Sequence, residues 1–305
     1  MNTNIYVLIM AGGFGTRLHP LSSIERPKQF IEFVDGKSLI RQTFERALKI
    51  TDKEKIFVAT NWQHTEAVAC HLPELPPENI ISESCPKNTA PAIAFAAYRI
   101  FGMDPSATMI CMPSDHLITD DDNYVDILKY ACECLLEHDY LVTLGIKPEF
   151  PSTEFGYIKR LPKQVKARFY GVERFVEKPN PKKARKYFDS GEYYWNSGTF
   201  IWRVKTIMGA FVAYCQSVSA NLLTLPIRDI QPEQSDKYFY DCDKISIDYA
   251  VMERSDNIAV VPANVNWSDV GSWDAIGKLM VRSDIQLSEE VRFAYLERVN
   301  NGTCI

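Results

Sequence analysis

The 305-residue chain has no C-x-x-C pair among its eight cysteines, no zinc-like spacing among its five histidines and no apolar run long enough to cross a membrane. These absences exclude a built zinc site and a spanning helix. They leave the cysteines as reduced thiols of a cytoplasmic protein, most of them in the core. Cys132 and Cys134 stand two apart on a predicted helix, so their side chains diverge and make a poor metal pair. A basic surplus is also missing. With 34 Lys and Arg against 39 Asp and Glu the formal charge is -5, which argues against nucleic acid or a membrane surface as a partner. The apolar start, Ile5 to Ala11, lacks the basic flank of a secretory signal, so the sequons at Asn266 and Asn301 are read as chance matches. No Ser/Gly-rich linker, internal repeat or low-complexity tract divides the chain.

What is present is ordinary for a folded protein: 46% hydrophobic and 24% charged residues, enough to bury a substantial core. Strand-like runs near 5–9, 55–59, 79–82, 107–111 and 140–145 alternate with helical patterns near 38–50, 64–71, 89–101 and 123–137. That alternation predicts βαβ units, hence an α/β fold with a Rossmann-like, mixed, mostly parallel sheet flanked by helices. After residue 150, strand-like runs at 155–160, 165–168, 172–177 and 198–203, with helices near 181–189, 205–216 and 246–254, predict an α+β extension of the same domain. Asp120-Asp121-Asp122 suits a helix N-terminus and is read as a solvated acidic turn rather than a metal cluster.

Behind the first strand lies Met10-Ala11-Gly12-Gly13-Phe14-Gly15-Thr16-Arg17-Leu18, a glycine loop followed by positive charge. Glycines there let backbone N–H groups approach phosphate oxygens unobstructed. Two common phosphate motifs fail. The dinucleotide fingerprint opened by Gly13 and Gly15 needs a third glycine where Leu18 stands, and the P-loop ending at Gly36-Lys37-Ser38 needs one where Ile31 stands. Asp35-Gly36 is better read as a turn before a helix capped by Ser38.

The remaining pattern is G-G-x-G-T-R-L-x-P-L with Pro27-Lys28-Gln29 downstream. It is followed in order by Lys87-Asn88-Thr89-Ala90-Pro91, Pro113-Ser114-Asp115-His116, Phe155-Gly156-Tyr157-Ile158, Phe175-Val176-Glu177-Lys178-Pro179, Trp195-Asn196-Ser197-Gly198, Ser246-Ile247-Asp248-Tyr249 and Trp267-Ser268-Asp269-Val270-Gly271. This ordered set resembles the sugar-1-phosphate nucleotidyltransferases, and among them the mannose-1-phosphate guanylyltransferases, over residues 5 to about 275. The resemblance implies a nucleotidyltransferase (GT-A-like) catalytic domain over 1–280, with a nucleotide half at about 1–150 and a sugar-phosphate half at about 151–280. A short C-terminal segment, 281–305, would follow, without the isomerase domain or its activity.

The resemblance also implies the reaction: GTP and mannose 1-phosphate give GDP-mannose and pyrophosphate. Charge repulsion between two anions is the obstacle, so alignment and electrostatic stabilisation should carry catalysis. Ala11, Gly12, Gly13, Gly15 and Thr16 would cradle the nucleotide, and Arg17 and Lys28 would neutralise the triphosphate. Asp115, beyond an apolar strand, and Asp269 would hold Mg2+ as cofactor. Lys87, Asn88 and Thr89 would meet guanine. Lys178 would pair with the sugar's phosphate, with Glu177, Asn196, Gly156 and Tyr157 around the sugar. On a strand, Glu177 and Lys178 would diverge to their separate tasks. Asp248 is read equally as a sugar-side residue or a helix cap, and His116 as a packing or hydrogen-bonding residue. GTP and mannose 1-phosphate are the expected partners, with a homodimer as the candidate assembly.

Phe14 and His19 depart from the family pattern, where altered packing rather than lost activity is expected. Two rival readings stay open on sequence: a guanylyltransferase for another sugar 1-phosphate, such as a heptose or fucose, and a non-catalytic GDP-sugar-binding regulatory subunit.

Overall fold

In the computed structural model the described residues are 4–300; Cys304 and the sequon at Asn301 lie outside them. The first strand, β1 (Ile5–Ala11), is apolar throughout because both of its faces are covered. Tyr6 and Leu8 join one core layer, while Val7, Ile9 and Ala11 join the other. The remaining strands are β2 (Glu32–Val34), β3 (Lys37–Ser38), β4 (Ile56–Asn61), β5 (Ile80–Glu83), β6 (Thr108–Pro113), β7 (Leu117–Ile118), β8 (Leu141–Ile146), β9 (Tyr157–Lys166), β10 (Phe169–Val176), β11 (Tyr193–Arg203), β12 (Ile258–Ala263) and β13 (Trp267–Ser268). The helices are α1 (Leu39–Leu48), α2 (Thr65–His71), α3 (Thr89–Met103), α4 (Asp121–Glu137), α5 (Pro181–Ser190), α6 (Val204–Tyr214), α7 (Gln216–Leu222), α8 (Pro232–Asp241), α9 (Trp273–Met280) and α10 (Glu289–Asn300).

A nine-stranded sheet in the order β5-β4-β1-β6-β11-β8-β12-β10-β9 forms the centre, and both halves of the chain contribute to it. β5, β4, β1 and β6 run parallel, as do β8 and β12, while β11 runs antiparallel between β6 and β8. The sheet is thus mixed and mostly parallel, as the alternation predicts. Residues of α3, α6, α7 and α8 cover one face, and those of α1, α2, α4 and α5 the other. A third cluster packs α9 and α10 against the segment behind the glycine loop, joining Trp273, Ile276 and Val291 to Leu18, Leu21 and Phe33.

The second half departs from its sequence-based expectation in several places. The runs at 165–168 and 172–177 are one hairpin, β9 and β10, whose turn contains Arg168 at a φ of 59°. The helix expected at 246–254 is a short π-helical turn at Asp248–Met252. Strand β12 and helices α7, α8 and α9 were not anticipated. Ser38 precedes α1 without capping it, because its hydroxyl bonds the His71 Nδ1 instead, at 2.8 Å. Asp121 and Asp122 open α4 but serve as ion-pair partners of Arg46 and Lys49. The seven described cysteines are free. Among the described residues no helix is long and apolar enough to cross a membrane.

Candidate active site

The C-terminal ends of parallel strands β1, β5 and β6 deliver Gly12, Glu83 and Asp115 to one edge of the sheet, the place where open α/β sheets put their sites. A cavity of about 510 Å³ opens there. It is lined by eleven residues expected from sequence: Gly12, Gly13, Arg17, Asn88, Thr89, Asp115, Gly156, Glu177, Lys178, Asn196 and Asp269.

The glycine loop is held from behind. Gln29, 2% exposed, donates through Nε2 to the carbonyls of Ala11 and Gly13, each at 3.0 Å, and Thr60 donates to the Ala11 carbonyl at 3.1 Å. Gly15 turns the loop at a φ of 57°, and a Cβ there would sit 2.8 Å from the Lys28 backbone nitrogen. Only glycine lets the loop close onto Lys28. Ala11 is buried at the end of β1, and Thr16 is exposed; neither lines the cavity.

Lys28 lies behind the cavity wall, 4% exposed, with Nζ 2.8 Å from Asp115 Oδ2 and donating to the Asp269 carbonyl. Asp269 arrives from the far end of the chain because β13 pairs with β7, setting Ser268 opposite Leu117. Its carboxylate lies over Gly271, where a Cβ would collide with it and sit 2.9 Å from Arg17 Nη2. Burial pulls the Asp115 carboxyl up, but the charges of Lys28 and His116 and the Lys28 hydrogen bond overcome it and hold the group below its ordinary value. His116 accepts from Trp267 Nε1 at 3.2 Å through Nδ1, and burial keeps the imidazole below its ordinary value. It is a hydrogen-bonding residue, as expected. Arg17 pairs at the rim with Glu154.

Two carboxylates facing one cavity suit a hard cation that takes its other ligands from phosphate and water. Among the described residues no cluster of three His, Cys, Asp or Glu side chains forms a complete metal cage. Asp115 and Asp269 therefore fit Mg2+ held jointly with a substrate, and do not fit a cation bound by protein alone.

In the lining of the same cavity Asn196 is a junction. Its Oδ1 accepts from Thr143 at 3.0 Å and from the Gly198 N–H at 3.1 Å, and its Nδ2 donates to Asp248 at 3.0 Å. Gly156 is needed beside it, since a Cβ would stand 2.6 Å from Glu177 Oε2 and 3.2 Å from the Asn196 Cβ. Burial, then the neighbouring Glu177 charge, pushes the Asp248 carboxyl up to about 7. Burial pulls the Lys178 ammonium down, and the Glu177 carboxylate more than offsets it.

Three expectations are corrected here. Glu177 and Lys178 do not diverge: β10 ends at Val176, Lys178 takes a φ of 42°, and the two side chains form an ion pair. Tyr157 opens β9 directly after Gly156 and lies in the core, fully buried and outside the cavity lining, its hydroxyl donating to the Ser152 carbonyl at 2.9 Å. Lys87 does not line the cavity; its ammonium lies 6.0 Å from the Tyr240 ring centre.

Sequence reasoning missed Glu83, Glu154 and Gln29. For Glu83 the signal was available, a carboxylate closing a short apolar strand of a parallel sheet. For Glu154 there was none, because an exposed loop acid has no pattern to read. Gln29 stands inside Pro27-Lys28-Gln29, but its two bonds to the loop depend on a tertiary approach.

The nucleotidyl transferase family model matches residues 6–283. The curated mannose-1-phosphate guanylyltransferase 2 of Escherichia coli O157:H7 is 36% identical over 297 residues, covering 92% of this chain and 60% of that protein. The mannose-1-phosphate guanylyltransferase of Sinorhizobium fredii is 38% identical over 294 residues, covering 91% and 55%. The chain thus spans between half and two thirds of the length of these curated relatives. A solved structure from Thermus thermophilus, described as a mannose-1-phosphate geranyltransferase, superposes with a TM-score of 0.83 at 32% identity, covering 92% of this chain and 80% of that one.

Proposed function

Because this chain belongs to the nucleotidyl transferase family, we propose that it transfers GMP from GTP to mannose 1-phosphate, forming GDP-mannose and pyrophosphate. The observation that carries this reading is one continuous cavity. Its lining joins Gly12, Gly13, Arg17, Asp115 and Asp269 to Gly156, Glu177, Lys178 and Asn196.

In this reading a phosphate oxygen of mannose 1-phosphate attacks the α-phosphorus of GTP. A new P–O bond forms as the bond to the β-phosphate oxygen breaks, and pyrophosphate leaves with the electron pair. No proton need move, since the attacking oxygen is already anionic, so the protein's task is to align and to neutralise. The backbone N–H groups of Gly12 and Gly13 approach the triphosphate. Arg17, at the rim, swings from Glu154 onto the phosphates, and Lys28 holds Asp115 in place while adding a fixed positive charge. Asp115 and Asp269 would hold Mg2+ together with the triphosphate. The ion, when bound, supplies charge neutralisation across the phosphates. Lys178 leaves Glu177 for the sugar's phosphate, which frees the Glu177 carboxylate, with Asn196 and Asp248, to accept and donate hydrogen bonds at the sugar hydroxyls. Free cysteines suit a cytoplasmic setting.

A coupled pyrophosphate assay that crosses GTP, ATP, UTP and CTP with mannose, glucose, fucose and heptose 1-phosphates tests this reading. Fastest release from GTP with mannose 1-phosphate supports it. Preference for another sugar assigns the same chemistry to that sugar, and no release from any pair rejects catalysis.

A further inference from the structure

Charge is spread unevenly along the chain. Residues 157–187, which run through the β9–β10 hairpin into α5, carry eleven Lys and Arg against two Glu, a surplus of nine that leaves -14 on the rest of a chain whose total is -5. Lys163, Arg168 and Arg174 are exposed and have no ion-pair partner among the described residues, and the Arg160 guanidinium lies 4.2 Å from the centre of the Tyr170 ring. β9 is the last strand of the sheet, and its second pairing, to β11, covers Tyr157 to Lys159 only. From Arg160 onwards no strand lies along its outer edge among the described residues. Edge strands commonly carry lysine to repel other strands, which accounts for charge on an open edge. It does not account for what stands beside that edge.

Helix α4 presents the opposite sign. Asp122, Asp126, Glu133 and Glu137 are exposed and, at steps of four, seven and four residues, share one stripe of the helix, with Lys129 as its single cation. Asp126 and Glu133 have no ion-pair partner among the described residues. The hairpin tip is fixed at the C-terminal end of this helix: Lys166 pairs with Glu137 at 3.1 Å, and the Phe169 ring centre lies 5.8 Å from that of Tyr140 and 6.3 Å from that of His138. Leu136 on α4 and Leu161 and Val165 on the hairpin are exposed apolar side chains of the same two elements. A basic and an acidic surface therefore adjoin in one chain. A nucleic acid or an anionic membrane drawn to the hairpin would be repelled by α4, whereas a second copy related by a two-fold axis meets both halves with the opposite sign, and makes the contact twice.

We propose that the β9–β10 hairpin and α4 form a two-fold interface between two copies of this chain, the hairpin of each lying on the acidic stripe of the other's α4. Single exposed ion pairs contribute little, so the charges set orientation and register, and Leu136, Leu161 and Val165 supply apolar surface to bury. None of the charged residues named on the two elements lines the cavity, so changes to them test assembly apart from catalysis.

The test is analytical ultracentrifugation of the full chain as wild type and as two charge-reversed variants, Lys163→Glu with Arg168→Asp on the hairpin and Asp126→Lys with Glu133→Lys on α4. All four positions are exposed, Asp is tolerated at the positive φ of residue 168, and thermal melts check that each variant folds. Wild type should sediment as a dimer at about 0.1 M salt, and its dissociation constant should rise at least about tenfold towards about 1 M salt as screening shortens the reach of the charges. Each variant alone should dissociate at least about tenfold more readily than wild type, because both of its surfaces then lean to one sign. Mixed in equal amounts, the two variants should recover wild-type dimerisation, since the acidic hairpin of one meets the basic helix of the other at both contacts. The protein carrying all four changes should dimerise as well. A wild type that is monomeric at low salt overturns the proposal, and so does a dimer that both variants keep. Variants that are monomeric alone and stay so when mixed also overturn it, because loss without recovery marks disruption rather than complementarity.

Discussion

The ammonium of Lys28 stands 2.8 Å from the Asp115 carboxylate and also donates to the backbone carbonyl of Asp269, so one buried cation ties together the two aspartates that face the cavity. A residue 28 positions into the chain and one from far along it are thereby fixed on each other, and the carboxylates are poised before any substrate enters. Replacing Lys28 by Met should lower kcat by about 10²–10³-fold, the usual cost of removing one fixed charge from a reacting phosphoryl or acyl centre. Lys28→Arg should recover little, because the planar guanidinium does not fit a slot made for a compact ammonium. Steady-state kinetics check both; unchanged kcat in Lys28→Met would remove its role.

Chelation should abolish pyrophosphate release, and added Mg2+ should restore it. Asp269→Asn should raise the Mg2+ concentration needed for half-maximal rate several-fold, and Asp115→Asn should lower kcat by about 100-fold or more even at saturating Mg2+. Metal titrations of rate on each variant measure this. A variant with wild-type Mg2+ dependence would exclude that aspartate from the metal site.

The three loop glycines should differ. Gly15→Ala forces an L residue into a left-handed conformation with its Cβ against the Lys28 backbone, and should destabilise the protein by about 1–2 kcal/mol or more. Gly13→Ala meets nothing within 4 Å, so the free protein should melt as wild type does, while GTP binding weakens because the new methyl blocks phosphate approach. Gly12→Ala is intermediate, with the Glu83 side chain as its neighbour. Thermal melts paired with GTP titrations separate the three cases.

Stability should carry the mark of Glu83. Its folded carboxyl is raised to about 8 from an ordinary value of 4.5, so between those pH values the folded state keeps a proton that the unfolded state has lost. Stability from this group is fully present below pH 4.5 and declines as pH rises to about 8, by up to about 1.4 kcal/mol for each pH unit. Glu83→Gln should remove that slope and be the more stable protein above about pH 8. Urea midpoints measured from mildly acidic to mildly alkaline pH show the difference; parallel curves would show that Glu83 ionises normally.

On the sugar side, Asn196→Ala should raise KM for mannose 1-phosphate about tenfold or more and leave KM for GTP nearly unchanged, because it releases Asp248 and Gly198 but touches nothing at the glycine loop. Equal changes in both KM values would point to a general loss of structure instead.

How much of this was legible depended on how local each feature is. In the first half the strands of the central sheet and helices α1 to α4 were readable, the helices by their period and β1, β4 and β6 as largely apolar runs of a parallel sheet, while the short β2, β3 and β7 were not. Strand β12 escaped because its Ile258-Ala259-Val260-Val261 run is short and ends in Pro262, yet it lies between β8 and β10 and holds the halves together. Most candidate site residues were readable from ordered motifs. What could not be read was their mutual state: that Lys178 folds onto Glu177 follows from the chain leaving the strand at Val176, and Tyr157 lies in the core while Gly156 lines the cavity. Glu83 was missed although its place closing a short apolar strand was legible; only its burial needs the tertiary fold.

The central claim is attack at the α-phosphorus of GTP, and isotope partition tests it most directly. With mannose 1-phosphate and Mg2+, GTP labelled at the α-phosphate should pass its label into the sugar nucleotide, and GTP labelled at the γ-phosphate should release it as pyrophosphate. Label from the γ-phosphate in the sugar product, or released as inorganic phosphate before any pyrophosphatase is added, would contradict the account.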